Sequence, residues 1–389
     1  MTPDVPGVTP TVVVGGGPAG ALAALLLARR GRSIRLLERT TEAGVKVCGE
    51  FLSPEAVQRL DRVGFPWARA EAVSLTRVVL MAAGRQVEVA LPFEARSVAR
   101  AKLDGWLLEE AGRAGAHIER GVTVRDIALT RPGFQLRTNQ GDLHTTGLVL
   151  ATGKHALSAF NPRAGTGDET LVGYKMDFSR LSPRVRATLD HTMGLFFFEG
   201  GYGGIARTGN DAATVSLLVR AHVGRRFGLR DLSLLQALAP ELPLLSLLLD
   251  EATADWARPA TVANLPYGHC APARPLAPGL LAVGDQFAVL PSFTGTGISF
   301  ALASGALAAR CLYESPEPAA AAARHAAFAR PLARAVQRRA MLLHSAFQKP
   351  LFAAVALRAL AHAPRLAVWV ARATRLPAPV ATTGQEAWV

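Results

Sequence analysis

Gly15-Gly16-Gly17-Pro18-Ala19-Gly20 satisfies G-x-G-x-x-G, and its surroundings give the pattern meaning: it follows Val12-Val13-Val14 and opens an apolar run. A buried strand, a tight glycine turn and a helix form the context in which that spacing binds a dinucleotide. Gly15 permits the turn, Gly17 lets the backbone approach a pyrophosphate, and Gly20 lets the helix pack closely on the sheet. The pyrophosphate, with Pro18 and Ala19 beside it, sits at the helix N-terminus, where unbonded N–H groups and the helix dipole favour negative charge. Glu38 ends the next strand, eighteen residues beyond Gly20. A carboxylate there accepts hydrogen bonds from adenosine ribose hydroxyls and repels a 2′-phosphate, so NADP is not the expected occupant.

Other residues with chemical potential are fewer. Cys48 follows the second strand, flanked by Lys46 and Glu50. The lysine can stabilise a thiolate or an anionic cofactor. The competing reading of Cys48 is a small side chain packed against the nucleotide-binding body. The three cysteines have no C-x-x-C spacing and the nine histidines no H-E-x-x-H spacing, so neither a metal centre nor a redox disulfide is expected.

Elements of one style must position these groups. TVVV (11–14) and IRLLE (34–38) flank the first helix, which Gly31 ends. A second helix-and-strand passage covers 100–130. GLVLATG brings a buried strand to Ala151-Thr152-Gly153, and GLLAVGD (279–285) brings another to Gly284-Asp285. A glycine-rich turn and an alanine-rich helix from about Gly297 to Cys311 follow. Each strand opens at its C-terminal end into a small-residue loop, so the distant pieces are expected to assemble one discontinuous sheet. Two inserts break the style. Residues 72–95 alternate as antiparallel strands do, and 171–222, with GLFFFEGGYGGIARTG and DAATVSLLVR, reads as hairpins of a second sheet. The expected division is a nucleotide-binding domain from 1–71, 96–164 and 271–317, a substrate domain from 72–95 and 165–270, and a C-terminal helical region, 318–389.

Half of the 389 residues are apolar, which is enough for a large core and excludes wholesale disorder. The net charge of +13 invites a nucleic-acid reading, but the basic residues are scattered and aromatics are only 6%, so no nucleic-acid role is expected. Most of the excess sits in 318–389, where nine arginines and one lysine face only Glu386. Arg358, His362, Pro364 and Arg365 interrupt LFAAVALRALAHAPRLAVWVARA before ~20 apolar residues accumulate, so a transmembrane span is not expected. A helical appendage on the body and an interfacial amphipathic helix are the two readings left. The first residues show no basic stretch followed by an apolar one, so the expected compartment is the cytoplasm, with weak peripheral contact on the inner face of a membrane.

From about residue 11 to 315 the chain resembles the FAD-dependent oxidoreductases of the p-hydroxybenzoate hydroxylase-like superfamily. The resemblance is carried by VVVGGGPAG with Glu38-Arg39, the Arg100-Ala-Lys-Leu-Asp104 segment, the ATG turn at 151–153, and GDQFAVLPSFTGTGISFALASG at 284–305. It implies an α/β fold: a discontinuous Rossmann-like FAD-binding domain of the glutathione reductase type, a mainly antiparallel substrate sheet, and the C-terminal helices. It also implies that Asp285 contacts ribityl hydroxyls and that Gly295-Thr296-Gly297 brings backbone N–H groups beside the isoalloxazine. Arg100 is implied to lie near FAD and Val124 to line the adenine pocket, with Arg39, Lys46 and Gly153 in the same cofactor set. KVCGEFLSPEAVQRLDRVG (46–64) and the Gly297-Ile298…Ser304-Gly305 pattern resemble the geranylgeranyl reductase-like branch. Group A hydroxylases follow the GD pair with Ala-His, where this chain has Gln286-Phe287; they carry Asp-Gly after the middle strand, where Gly153 is followed by Lys154-His155. The W-x-W-x-I-P motif of tryptophan-dependent halogenases is absent, and the tryptophan–phenylalanine–proline motif of prenyl reductases is not evident.

The expected function is therefore flavin-dependent reduction or dehydrogenation of a carbon–carbon bond in an apolar, isoprenoid- or polyketide-like compound, free or carrier-bound. NAD(P)H or another donor supplies the electrons. Cys48 is the candidate catalytic residue, and Phe196, Phe198 and Tyr202 are candidate substrate contacts. The alternatives are a flavin monooxygenase acting on an aromatic or polyketide ring, and a non-enzymatic flavin-binding module.

Overall fold

A computed structural model describes residues 11–155, 170–227, 231–255, 259–347 and 350–377. The chain begins with β1 (Thr11–Val14), α1 (Pro18–Ala28), β2 (Ile34–Glu38), β3 (Phe51–Leu52) and α2 (Pro54–Val63). The long strands β4 (Val73–Ala82) and β5 (Arg85–Ser97) precede α3 (Arg100–Arg113) and β6 (His117–Arg120). Then come β7 (Val124–Leu129), β8 (Phe134–Thr138), β9 (Gly141–Thr145) and β10 (Leu148–Leu150). The second half opens with β11 (Leu171–Ser179), α4 (Pro183–Thr188), β12 (Thr192–Phe198), β13 (Gly201–Arg207) and β14 (Ala212–Arg220). Helices α5 (Ala221–Phe227), α6 (Ser233–Leu238) and α7 (Pro243–Glu251) lead to β15 (Thr253–Ala254), β16 (Ala260–Leu265) and β17 (Leu280–Ala282). Four helices end the described chain: α8 (Gly297–Glu314), α9 (Pro318–Phe347), α10 (Pro350–His362) and α11 (Pro364–Ala373).

The pieces that share one sequence style do form one sheet. Its order is β17-β10-β1-β2-β6, and every pairing is parallel. Parallel strands are covered on both faces, which is why VVV, LVL and LLA read as unbroken apolar runs. Helix α1 is apolar all round and wholly buried, as a helix wedged between a sheet and two further helices must be. It packs on α8 and α3. Gly305 of α8 lies against the Ala19 carbonyl, which a Cβ there would approach to 2.2 Å.

The second sheet runs β15-β11-β14-β13-β12-β4-β5-β3, with β16 also paired to β11. It is antiparallel except where β12 joins β4 in parallel. Residues 72–95 and the 171–222 hairpins thus meet in one sheet, and β5 runs on to Ser97, two residues past the sequence-based limit. The limit at 164/165 falls among residues outside the described ones. A small sheet, β7-β8-β9, completes the β structure.

The long helix α9 closes the flavoprotein-like body with a stripe of small residues, Ala322, Ala326, Ala329 and Ala333, all buried. His325 lies within this face and is 1% exposed. Its Nε2 donates to the Ser304 carbonyl at 3.3 Å, and its ring meets Phe287 edge-on. Burial pushes its pKa down to about 4. Above pH 6.5 the ring is neutral in both folded and unfolded chains. As pH falls below 6.5 the unfolded chain takes up a proton that the folded one refuses until about pH 4, so stability falls across that window by roughly 3 kcal/mol. We expect the urea midpoint of His325→Phe to drop less steeply between those pH values than that of the parent. Superimposable acid limbs for the two proteins would contradict this account.

Candidate functional site

The site forms where three parallel strands end together: β1 at the glycine turn, β10 at Ala151-Thr152-Gly153, and β17 at Gly284-Asp285. Ligands of open α/β sheets bind outside these carboxyl ends. Gly15 has φ +106°, and a Cβ there would strike the Ala151 carbonyl at 2.4 Å. Gly20 lies against the Gly15 carbonyl, where a Cβ would come to 2.1 Å. Both glycines are demanded by the protein's own packing. Gly17 is not. It caps α1 with φ −71°, a conformation open to any residue, and a Cβ there meets only the Arg100 guanidinium at 3.8 Å. Pro18 follows as the first helical residue, with Ala19 buried beside it.

Glu38 is buried, and its carboxylate accepts from the Gly16 N–H at 2.7 Å and from the Thr40 N–H and hydroxyl at 3.0 and 2.8 Å. Burial works against its ionisation, but these bonds and the nearby Lys46 prevail and hold the carboxyl below the usual range. An ionised acceptor at the end of β2 is what a ribose diol needs and a 2′-phosphate does not tolerate. Gly16 was not singled out in the motif, yet its N–H fixes this carboxylate. Arg39 reaches His155 Nε2 at 2.6 Å, and burial together with Arg39 and Lys46 lowers the His155 pKa. The His155 of the Lys154-His155 departure from the hydroxylase pattern thus sits beside the β2 end as a neutral ring that accepts from Arg39.

Gln286, the other departure, is a clamp. Its amide donates to the Gly153 and His155 carbonyls at 2.6 and 3.0 Å, tying the β17 turn to the β10 turn. The Gly284 N–H donates to Ser304 Oγ at 2.9 Å, which fixes the same turn to α8. Asp285 is half-buried on this turn, Gly153 has φ +63° with open space where a Cβ would stand, and Val124 is buried in β7. Gly295, at φ +67°, makes room for the ring of Phe51, and Thr296 caps α8. Gly297 opens this 18-residue helix with nothing within 4 Å of its would-be Cβ. The free N–H groups of such a terminus favour a partly negative ligand group.

These residues fit FAD. A bare backbone at Gly17, an arginine facing it, an ionised glutamate at the β2 end and a second helix N-terminus at Gly297 are the complements of pyrophosphate, ribose and isoalloxazine.

A charged cluster joins this body to the large sheet. Arg100 is paired with Asp104 through two bonds of 2.9 and 2.8 Å. Burial opposes its charge, but Asp104 and then Cys48 outweigh it and raise the pKa. Cys48 is half-buried, and its sulfur accepts from the Glu50 N–H at 3.3 Å. Glu50, at φ +57°, points its carboxylate into the protein, where it accepts from Lys175 Nζ of β11 at 2.5 Å and from the Arg100 N–H at 3.1 Å. The second bond substitutes for a cap on α3, because Ala99 at the N-cap position has no side chain to offer. Lys175 also meets Asp177 at 3.1 Å. Burial works against its charge, yet the two carboxylates together raise its pKa; burial first, and Asp177 after it, push the Glu50 carboxyl up. Lys175 was missed in the sequence. Its signal is a lysine in LVGYKMDFS, a strand buried on both faces.

The structure does not bring Phe196, Phe198 and Tyr202 together. Phe197 pairs with Tyr202 across β12 and β13, so alternation sends Phe196 and Phe198 to the other face. There they pack with Leu244, Leu245 and Leu248 of α7. Gly203 gives room to the Phe196 ring, 2.4 Å from its would-be Cβ, and does not serve the approach of a ligand. The face toward the α8 turn belongs to Phe197, Tyr202, Phe293 and Phe347. The Tyr202 hydroxyl bonds Tyr267 and Ser292, both at 2.6 Å, and Ser292 begins the short turn that ends at Gly295. His344 lies over the Tyr267 ring, 4.9 Å between centroids, and burial pushes its pKa down to about 4. Among the described residues no cluster of histidine, cysteine or carboxylate side chains can hold a metal.

Comparison with known proteins agrees with this chemistry. Residues 8–140 match the family model described as FAD binding domain. A menaquinone reductase of Mycolicibacterium smegmatis is 27% identical over 319 residues, covering 77% of this chain and 75% of the relative. Digeranylgeranylglycerophospholipid reductase 2 of Methanopyrus kandleri is 28% identical over 321 residues, 79% of this chain and 77% of the relative. Among solved structures, the flavin-dependent brominase Bmp2 superposes with a TM-score of 0.73 at 17% identity, covering 94% of this chain and 93% of that one. At that identity the superposition speaks for the fold alone. With an FAD-binding segment, a two-sheet body and reductases similar over three quarters of its length, the chain is an FAD-dependent oxidoreductase that resembles the p-hydroxybenzoate hydroxylase-like flavoproteins and, among them, the geranylgeranyl reductase-like branch.

Proposed function

We propose that the protein reduces a carbon–carbon double bond in an apolar isoprenoid chain carried by a lipid or quinone. One observation carries this reading: relatives that match over most of both chains are named for the reduction of menaquinone and of a digeranylgeranyl lipid. When bound, FAD supplies hydride or electron transfer through N5. The chain's own residues do the rest. Arg100, held by Asp104, faces Gly17 and would balance pyrophosphate charge, while Glu38 would receive the ribose hydroxyls and Asp285 the ribityl ones. The N–H groups that open α8 at Gly297 would offer donors to the isoalloxazine. Phe197, Tyr202, Phe293 and Phe347 exclude water on the sheet side. Cys48, next to Arg100 and the Glu50–Lys175 pair, is the candidate catalytic residue.

The test uses purified enzyme reduced with dithionite, so that it does not depend on the natural donor. Anaerobic incubation with a menaquinone or a digeranylgeranyl lipid, followed by reoxidation of any quinol in air, is expected to give a product heavier by two hydrogen atoms in its isoprenoid chain, absent when the enzyme is left out. A product that forms only with O₂ and carries one labelled oxygen atom from ¹⁸O₂ would replace this reading with a monooxygenase. Such substrates reside in bilayers, so the same reading puts the enzyme on the cytoplasmic face of a membrane as a peripheral protein. No helix among the described residues is long and apolar enough to cross one.

A further inference from the structure

We propose that the α10–α11 hairpin is a docking surface for an anionic lipid bilayer. Both helices lie on the large sheet: α10 against β4, β5 and β12, and α11 against β5. Ala353, Leu357 and Leu360 turn inward from α10, and Ala367 from α11. Ala353 and Leu357 pack with Phe197 and Tyr202, so the hairpin roofs the aromatic face of the site. The outer face is left apolar. Phe352 and Val355 stand one turn apart on α10, and Leu366 and Trp369 one turn apart on α11; all four are exposed, Trp369 by 65%.

Charge decides which partner fits. Arg358, Arg365 and Arg372 are exposed beside these apolar residues. Lys349 precedes α10 in the sequence, and no acidic residue occurs from 348 to 375. Arg365 and Arg372 lie within one turn of Trp369 on either side. A tryptophan among arginines, on helices whose inner faces are already packed, matches the boundary between headgroups and acyl chains. The indole straddles that boundary, and arginine stems run along apolar surface while their charges reach phosphate. An apolar protein partner would gain nothing from arginines without acidic balance, whereas an anionic leaflet attracts each of them.

The hairpin is also tied to the site. Arg375, just past α11, is half-buried, donates to the Thr294 carbonyl in the turn before Gly295, and stacks over Phe93 of β5. A bilayer seated on the hairpin is therefore connected, through Arg375 and through the Phe197–Tyr202 face, to the turn before Gly295. The purpose of docking, delivery of a membrane-borne isoprenoid, rests on the proposed function. The docking itself does not, because vesicle binding is measured without substrate.

The experiment is co-sedimentation of the FAD-loaded full chain with phosphatidylcholine vesicles and with vesicles that also contain phosphatidylglycerol, each at low and high salt. Binding to the anionic vesicles, weakened by salt and absent on the neutral ones, is expected. Replacing Arg358, Arg365 and Arg372 by glutamine should weaken it by roughly five-fold per arginine. Phe352→Ser with Trp369→Ser should abolish it while the flavin spectrum stays that of the parent, since none of these side chains touches the cofactor site. A blue shift of tryptophan emission on anionic vesicles, lost in Trp369→Phe, would place that residue in the bilayer. Sedimentation indifferent to lipid charge, or unchanged in the arginine variant, overturns the proposal. So does concentration-dependent dimerisation that Phe352→Ser with Trp369→Ser abolishes in a protein that binds no vesicle; the face then belongs to a second copy.

Discussion

Gly17→Val protein should fold and purify colourless. The residue caps α1 in an extended conformation that valine adopts freely, and the nearest atom to its would-be Cβ is a guanidinium nitrogen of Arg100 at 3.8 Å. Chain neighbours aside, no other atom of the described residues lies within 4 Å of that Cβ. What opposes it is the ligand: the branched carbons take the space through which the pyrophosphate must approach the helix N-terminus. Gly20→Val differs in kind, because its Cβ falls 2.1 Å from the Gly15 carbonyl and the helix cannot seat on the sheet. The pair therefore separates cofactor binding from folding. Far-ultraviolet circular dichroism and the urea midpoint of the Gly17→Val protein should match those of the parent stripped of FAD. Its flavin absorbance should be absent, and added FAD should not restore it at concentrations that reload the stripped parent. A yellow Gly17→Val protein would move the pyrophosphate away from this turn.

That contrast marks what the sequence made legible. The nucleotide-binding body announces itself because its signals are local: a valine run, glycines at fixed spacing, a glutamate at the next strand end. Each constraint acts within one strand–turn–helix unit, and the parallel sheet then assembles from strands of one apolar style. The substrate sheet was legible as alternation but not as pairing. The parallel junction of β12 with β4 joins segments over a hundred residues apart, and no local pattern records it. Phe196 and Phe198 show the same limit. Their shared face follows from the period of two, but which face the site would use depended on α7 burying one side and on the α8 turn meeting the other. Gln286 and Lys175 were illegible as functional groups because their partners, the Gly153 carbonyl and the Glu50 carboxylate, lie more than a hundred residues away. Both stand out in the sequence only as polar residues where the pattern calls for apolar ones.

Lys175→Met is expected to be the most destabilising single change in the interface between the two sheets. The Lys175 and Glu50 side chains are 2% and 3% exposed, and the lysine is the counter-charge that Glu50 has in its buried position. Removing it leaves a carboxylate in a dry interior, and breaking such a pair from one side costs about 3–5 kcal/mol. Glu50 also holds the N-terminus of α3 through the Arg100 N–H, so the damage should reach the arginine that faces Gly17. The pH dependence has a definite sign. Burial already raises the Glu50 pKa, and loss of the lysine raises it further. The folded variant then holds the Glu50 proton more tightly than the unfolded chain does, so the variant should lose stability as pH rises above the ordinary carboxylate range and recover part of it toward pH 5. The second variant is Glu50→Gln, which keeps an oxygen for the Arg100 N–H and removes the charge. Combined with Lys175→Met it should cost less than Lys175→Met alone, because no unpaired charge remains. Urea midpoints of the two single variants and the double variant at pH 5 and pH 8 measure both claims. Additive losses with no pH dependence would mean that Glu50 and Lys175 are solvated and that the loop bearing Cys48 is not locked to β11 through them.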